Sequence, residues 1–424
     1  MLSQTKSRFA GNKIFVLLVM VAIYTSINGQ TAINKLTLDD AIEIGLKNNP
    51  GMKSSMEKIK ASGGRFWSGI SLPSPEISVS YEYVPTSQSL KNYSEKTLAF
   101  SQSVEFPSNY FLRGSKLSKE KEITENEFKL TQIGVIAKVK SAYFNLLARQ
   151  EQLKIAEENR SIAEDFSKKA EIRYNVGEGT NLERLTAKVQ YTEAINNVEI
   201  QKNHLIAAIA DLNYALGFGK NDAKEYQLTD KLDFTSFDFT FDRLVEDAAS
   251  INPQLKMNEL RVGSSSLERT LAWSSFLPNF NLAYYKQTRD GSNEYYGASF
   301  GISIPLWFMF DQRGKIEEAS ANVSIAESEL QLTKNTIYLR IKNAFTEFKN
   351  EEKQVLLYQT DILPQAEEIY RSASKSYESG EITYLEFLQA KQTIINSRSD
   401  YINALLAYNL SIVTLEEAVG NRLK

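Results

Sequence analysis

The chain repeats itself, and this constrains its fold more than any other feature. Leu38-Asp39-Asp40-Ala41 through Asn49-Pro50 resembles Phe241-Asp242-Arg243-Leu244 through Asn252-Pro253, an offset of 253 − 50 = 203 residues. Pro75 and Tyr81 recur as Pro278 and Tyr284 at the same offset. Tyr174, Gly177, Leu182, Leu185 and Ala187-Lys188 recur as Tyr377, Gly380, Leu385, Leu388 and Ala390-Lys391, and Leu216-Gly217 recurs as Val419-Gly420. The offset drops to 198 at Phe106-Pro107 against Ile304-Pro305, and is 200 at Arg113-Gly114 against Arg313-Gly314. The second copy has therefore lost residues between Tyr284 and Pro305, which marks a length-tolerant loop. The chain divides into residues 1–29, a first repeat over 30–217, a middle segment over 218–240 and a second repeat over 241–424. The Phe-polar alternation from Asp233 to Phe241 gives the middle segment a strand-like look.

The first 29 residues have the pattern of a secretion signal. Lys6, Arg8 and Lys13 precede the apolar run Ile14 to Tyr24, which is too short to span a bilayer as a helix. A small polar stretch follows, with expected cleavage near Gly29. Removing this segment takes away three cations and no acid, so the charge moves from −3 to −3 − 3 = −6. No later apolar run approaches membrane-helix length, so a membrane-inserted form of this chain needs strands.

Residues 76–84 alternate, with Ile77, Val79, Tyr81 and Tyr83 on one face and Glu76, Ser78, Ser80 and Glu82 on the other. Residues 96–106 alternate likewise through Leu98, Phe100, Val104 and Phe106. The second repeat does the same over 279–287 and 295–305. These lengths suit tilted bilayer-crossing strands with lipid on the apolar face and water on the other. Tyr81, Tyr83, Tyr284 and Tyr296 at the loop ends, and Phe106 and Trp307 at the opposite ends, read as two aromatic girdles. A soluble half-buried sheet would alternate in the same way; the export signal, the girdles and the duplication favour the membrane. Four strands cannot close a barrel, and an open sheet edge is not tolerated in lipid. The barrel must be shared among copies of the chain.

Long helices complete each repeat, as hairpins over 108–217 and 311–420. Phe111 to Tyr174 contains no proline, and Gly314 to Tyr377 contains only Pro364. Each stretch has 64 residues, so a continuous helix there is about 95 Å long. Ile136, Val139, Tyr143, Leu146, Gln150 and Leu153 follow 3-4 spacing, as do Tyr338, Ile341, Phe345, Phe348, Glu352 and Val355, which gives coiled-coil seams. Gly177 and Gly380 are placed to end the descending helices in the left-handed region. Thr180 and Thr383 are placed to cap the returning ones, each with an acid three residues on, Glu183 and Glu386. A periplasmic coiled-coil protein would explain these helices but not the strands.

Composition excludes most chemistry. The chain has no cysteine and one histidine, His204. This removes disulfides, thiolate metal sites and nearly all histidine catalysis. Gly177-Glu178-Gly179 and Gly219-Lys220 lack the rest of any nucleotide-binding pattern. With a slight net negative charge there is no basic surplus for nucleic acid. No enzyme, cofactor or resident metal is expected.

The order of these features resembles the TolC family of outer-membrane efflux proteins. They are a signal peptide, two repeats, a Pro-bounded strand hairpin in each, and paired Tyr-x-x-Gly-x-x-x-x-Leu turns. Leu72-Pro-Ser-Pro-Glu-Ile-Ser-Val-Ser-Tyr81, followed by Ser101-Gln102-Ser-Val-Glu-Phe-Pro107, is similar to its heavy-metal efflux branch. The resemblance implies a mainly α fold with membrane β. It implies a homotrimer with a 12-stranded barrel in outer-membrane lipid, continued by a 12-helix tunnel in the periplasm. A periplasmic adaptor and an inner-membrane pump are the implied partners. Multidrug and type I secretion ducts share this fold and remain alternatives to metal efflux. The resemblance also places a gate at Tyr377, Glu386 and Gln389, and Glu183 in the first repeat. Gln389 stands where an acid is usual and Ile382 where a basic residue is found, so a weaker acid ring follows. Gly177, Gly380, Thr180, Leu182 and Leu385 are the implied adaptor-contact turns.

Overall fold

The computed structural model describes residues 34–219, 226–291, 293–304 and 311–423. The signal segment, residues 220–225 of the middle segment and Trp307 lie outside them. In chain order the elements are β1 (Asn34–Leu36), α1 (Leu38–Asn48), α2 (Pro50–Ile70), β2 (Glu76–Glu82), β3 (Glu95–Val104), α3 (Pro107–Asn175) and α4 (Asn181–Ala215). The rest are β4 (Tyr226–Leu228), α5 (Phe241–Ile251), α6 (Pro253–Ser274), β5 (Asn279–Arg289), β6 (Asn293–Ser303), α7 (Asp311–Leu357), a π-turn (Tyr358–Ile362), α8 (Leu363–Glu378) and α9 (Tyr384–Val419).

Strands β2, β3, β5 and β6 form one antiparallel sheet in that order. Register places Ile77 beside Phe100, Phe100 beside Tyr284, and Leu282 beside Phe300, so one face is mainly apolar, with Gln102 and Lys286 as polar residues toward its two ends. The other face carries Glu76, Ser101, Ala283 and Ser299 in one row. No helix packs extensively on the apolar face among the described residues. Ile77 is 72% exposed and Phe300 63%, an uncovered patch that a soluble monomer does not present. Both edges, β2 and β6, are unpaired within the chain. The first hairpin is joined by residues 83–94 and the second by residues 290–292, which is the shortened loop the repeat offsets required.

Some expectations need correction. Strand β2 stops at Glu82, and Tyr83 turns into the left-handed region at φ 55°. Tyr83 is therefore a loop residue and does not continue the apolar row. The segment 229–240 forms no strand, and its one backbone bond to the neighbouring β1 is from Thr229 N to Leu36 O at 3.3 Å. Its phenylalanines pack sideways instead, Phe234 on Tyr408 and Phe239 on Phe348. Only β4 is extended and bonded, in parallel with β1. The second long helix is not continuous. Pro364 has no N–H to give to the preceding turn, and the helix widens into the π-turn just before it, where Leu363 N donates to Tyr358 O. α3, with no proline inside, runs unbroken for 69 residues, about 104 Å.

Helices α1, α2 and α6 each begin at a side-chain cap, whereas Thr240 ahead of α5 makes no capping bond. Thr37 and Asp40 bond reciprocally at the start of α1, and Asn49 and Asn252 accept amides ahead of Pro50 and Pro253. Beside the sheet, α2, α3, α6 and α7 pack side by side in that order. Further along, α4, α3, α9 and the lower part of α7 with α8 do the same. The core lies where the two tiers meet, around Tyr143, Leu212, Ile341, Phe348, Leu405 and Tyr408. There Tyr143 Oη donates to Asp230 Oδ2 at 2.7 Å and Tyr408 Oη to Thr235 O at 2.6 Å, pinning the middle segment to both repeats. Burial and the Asp230 carboxylate push the Tyr143 phenol well above its ordinary value, so it stays a donor. Lys140 and Glu416 form a buried ion pair at 2.5 Å between α3 and α9.

Candidate functional site

The two hairpins end together at the pole opposite the sheet. Each descending helix closes in the same way. Gly177 (φ 82°) and Gly380 (φ 79°) are left-handed. Glu178 N reaches Arg173 O at 2.9 Å and Glu381 N reaches Ser376 O at 2.8 Å, so the last carbonyls are satisfied. Both glycines are exposed. Leu182 and Leu385 on the returning turns are 76% and 70% exposed, presenting paired apolar knobs at the tip.

The returning helices differ. Thr383 Oγ1 accepts from Glu386 N, and the Glu386 carboxylate reaches back to Thr383 N at 2.7 Å, a complete capping box. The amide and hydroxyl of Thr383 hold the Glu386 carboxyl below its ordinary value. Thr180 accepts from Glu183 N at 3.1 Å, but the Glu183 side chain does not return to it. It is taken by the other repeat: Tyr377 Oη donates to Glu183 Oε1 at 2.7 Å. Arg173 completes the group, 3.3 Å from Tyr377 Oη and 3.8 Å from Glu183 Oε1. Burial, then the Glu183 bond, pushes the Tyr377 phenol up to about 12.

The structure thus joins Tyr377 and Glu183 across the hairpins and leaves Glu386 and Gln389 outside that contact. Glu386, Gln389 and Thr393 fall on one exposed stripe of α9, flanking the buried seam of Phe387, Ala390 and Ile394. Sequence reading missed Arg173. Its repeat counterpart is Ser376, so the duplication gave no signal for it. It also missed the aromatic cluster behind the network. Phe166 of α3 stacks on Phe387 at 4.4 Å and lies 5.6 Å from Tyr377, with Tyr370 and Tyr384 adjoining. Tyr81 and Tyr296 stand exposed near the loop end of the sheet, Phe106 lies half-buried against Phe280 at the other, and Tyr284, expected in the loop-end girdle, stands exposed at the middle of β5 beside Phe100. Tyr285 falls on the polar face, over Gly297, where an added Cβ would meet its ring at 2.4 Å. His204 is an exposed residue of α4. Among the described residues no cluster of His, Asp and Glu is placed to hold a metal ion.

A sheet apolar on its outer face, open at both edges and continued by helices far longer than a domain needs, defines a subunit of an assembled membrane channel. The chain belongs to the outer membrane efflux protein family, whose profile matches residues 45–217 and 244–421, one span per repeat. It is similar to the cobalt-zinc-cadmium resistance protein CzcC of Cupriavidus metallidurans, 20% identical over 92% of this chain and 91% of that one. It is also similar to the outer membrane protein TolC of Vibrio cholerae, 20% identical over 76% of each. The crystal structure of the Campylobacter jejuni CmeC outer membrane channel has the same fold, with a TM-score of 0.76 and 18% identity, over 90% of this chain and 85% of that one.

As a family member the chain is an outer-membrane efflux channel and not an enzyme. It works as a homotrimer with a periplasmic adaptor and an inner-membrane pump, its helices extending into the periplasm. Three copies supply 3 × 4 = 12 strands, and the unpaired β2 and β6 edges of this sheet are the ones a closed barrel would join.

Proposed function

We propose that this channel is the exit duct of a metal-cation efflux assembly, closed at its periplasmic tip by the Arg173–Tyr377–Glu183 network. The observation that carries the gate is the 2.7 Å bond from Tyr377 to Glu183, because it ties the second-repeat hairpin to the first. Glu386 and Gln389 share the exposed stripe of α9 and line the bore above the tip in this reading. One acid per copy gives a modest preference for cations. Leu182, Leu385, Thr180, Gly177 and Gly380 form the surface that meets the adaptor. The two repeats, 30–217 and 241–424, act as half-units of one wall joined through 218–240.

The cargo reading is supported by the full-length likeness to a protein named for cobalt, zinc and cadmium resistance. Deleting the gene and measuring tolerance tests it. Loss of zinc, cobalt or cadmium tolerance, restored by the wild-type gene, is the expected result. Loss of drug tolerance alone would assign the duct to multidrug efflux. The bore reading is tested in planar bilayers, where Glu386→Ala is expected to weaken cation preference. An unchanged reversal potential would remove Glu386 from the bore.

A further inference from the structure

Lys391 is the buried cation that the proposed gate does not use. It is 5% exposed, on the inner seam of α9, one turn from Phe387 and within the packing of α9 against α3 and α8. It has no hydrogen bond or ion pair among the described residues. Its repeat counterpart, Lys188, is exposed. The Phe166–Phe387 stack lies on one side of it and the Glu158–Arg398 pair on the other. In that interval α3 offers Glu158, Arg160, Glu164 and Asp165, and α8 offers Glu367, Glu368, Tyr370 and Arg371. On α9 itself the flanking charges are Glu386 and Arg398.

Every carboxylate in that set is engaged elsewhere. Arg398 takes Glu158 and Glu367, at 3.4 and 3.6 Å. Arg371 takes Glu368, Lys168 takes Glu164, Lys169 takes Asp165, and Thr383 holds Glu386. An enclosed ammonium without an anion is costly, and burial alone brings Lys391 down to about 8. The second hairpin also has a place to bend that the first lacks: the π-turn Tyr358–Ile362, above α8.

We propose that Lys391 is a built-in opening bias of the tip: seated against α3 the second hairpin strips most of the water from an unpaired ammonium, and swinging it away about the π-turn restores that water. This rests on the tip network being the closing contact, since something must hold the hairpin against the bias. The direction with pH follows. Seated, the amine holds its proton less tightly than when hydrated, so the seated form is favoured in alkali. That preference is lost as pH falls through the interval between the ordinary 10.5 and about 8, and is constant below it. For a single hairpin the open-to-closed ratio falls roughly fortyfold from pH 8 to pH 10.

The full-length trimer is measured in planar bilayers at pH 8 and pH 10, as wild type, Lys391→Met and Tyr377→Phe. Wild type is expected to open less at pH 10. Lys391→Met is expected to open rarely at both values, because methionine fills the site without charge. Tyr377→Phe is expected to open more at both and to keep the slope. Wild type and Lys391→Met with the same pH slope would overturn the proposal, even with the gate upheld by Tyr377→Phe. A Tyr377→Phe channel no more open than wild type would overturn the gate itself. Because the chain has no cysteine, Lys391→Cys gives a second readout. Its maleimide labelling should accelerate when Tyr377→Phe is added, and equal rates would show that the hairpin does not expose this position.

Discussion

Replacing Tyr377 by phenylalanine tests the tip most directly, because it removes one hydroxyl and keeps the ring. The ring's contacts with Phe387 at 5.2 Å and Phe166 at 5.6 Å do not depend on oxygen. What is lost is a short bond to a carboxylate whose side chain is only 15% exposed. Hydrogen bonds to charged groups contribute about 1.5–3 kcal/mol. Arg173 remains near Glu183, but at 3.8 Å and with its own side chain 42% exposed it holds little by itself. The lower half of the range, about 1.5–2 kcal/mol per subunit, is the reasonable expectation, a factor of roughly 10–30 in the closed-to-open ratio. If each hairpin moves independently, open time in a bilayer rises by that factor. If the three release together the factors multiply, to about 1,000 or more. Single-channel recording distinguishes the two, because independent release gives stepped sub-conductance levels and concerted release does not. The phenol's raised value adds a pH signature. Tyr377 holds its proton throughout the range below its ordinary 10, so its contribution to closure is constant there and decays only between 10 and about 12. A Tyr377→Phe trimer whose closed state persists within twofold of wild type would refute the assignment of this network as the closing contact.

Two further predictions concern the frame that carries the gate. Glu416→Ala is expected to destabilise the helical wall by about 3–5 kcal/mol, because it strands Lys140 at 6% exposure, whereas replacing both residues by methionine is expected to be close to neutral; thermal melts followed by circular dichroism check this, and equal losses would show the pair is hydrated. Gly177→Ala and Gly217→Ala differ although both glycines have positive φ. At Gly177 the surroundings are open and about 1 kcal/mol is expected, while at Gly217 the added carbon would lie 2.8 Å from the Asn48 backbone, so the larger loss in the same melts falls there.

How much was legible varied with how local the cause was. Periodicity of two found the four membrane strands, since neighbouring side chains report their own face. Their ends were misread at Tyr83, where a left-handed turn leaves no periodic trace. The paired glycines and threonines gave both tip turns because capping is settled within a few residues. The same motif misjudged Glu183: it has the sequence of a capping box, and only the position of Tyr377 from the other repeat draws its carboxylate away. Arg173 and Phe166 gave no signal, since each acquires its role from a partner in the second repeat, 204 residues away for Arg173. Helices α1, α2, α5 and α6 were touched by the sequence only through the repeat of residues 38–50 as 241–253, and their place in the wall was not apparent from it.

The sequence by itself determined the duplicated plan, the strand faces and the length of the first long helix. Each follows from local spacing or composition, which needs no partner to be meaningful. The tertiary structure alone decided where the copies diverge. Repeat-equivalent residues share a local code but not a neighbourhood, so Glu183 bonds across the tip while Glu386 caps its own helix. Lys391 is enclosed while Lys188 is solvated, and the proline that bends one long helix has no counterpart in the other. A duplicated sequence is symmetric along the chain, but its folded environment is not, because equivalent residues of the two repeats meet different neighbours across the contact between them.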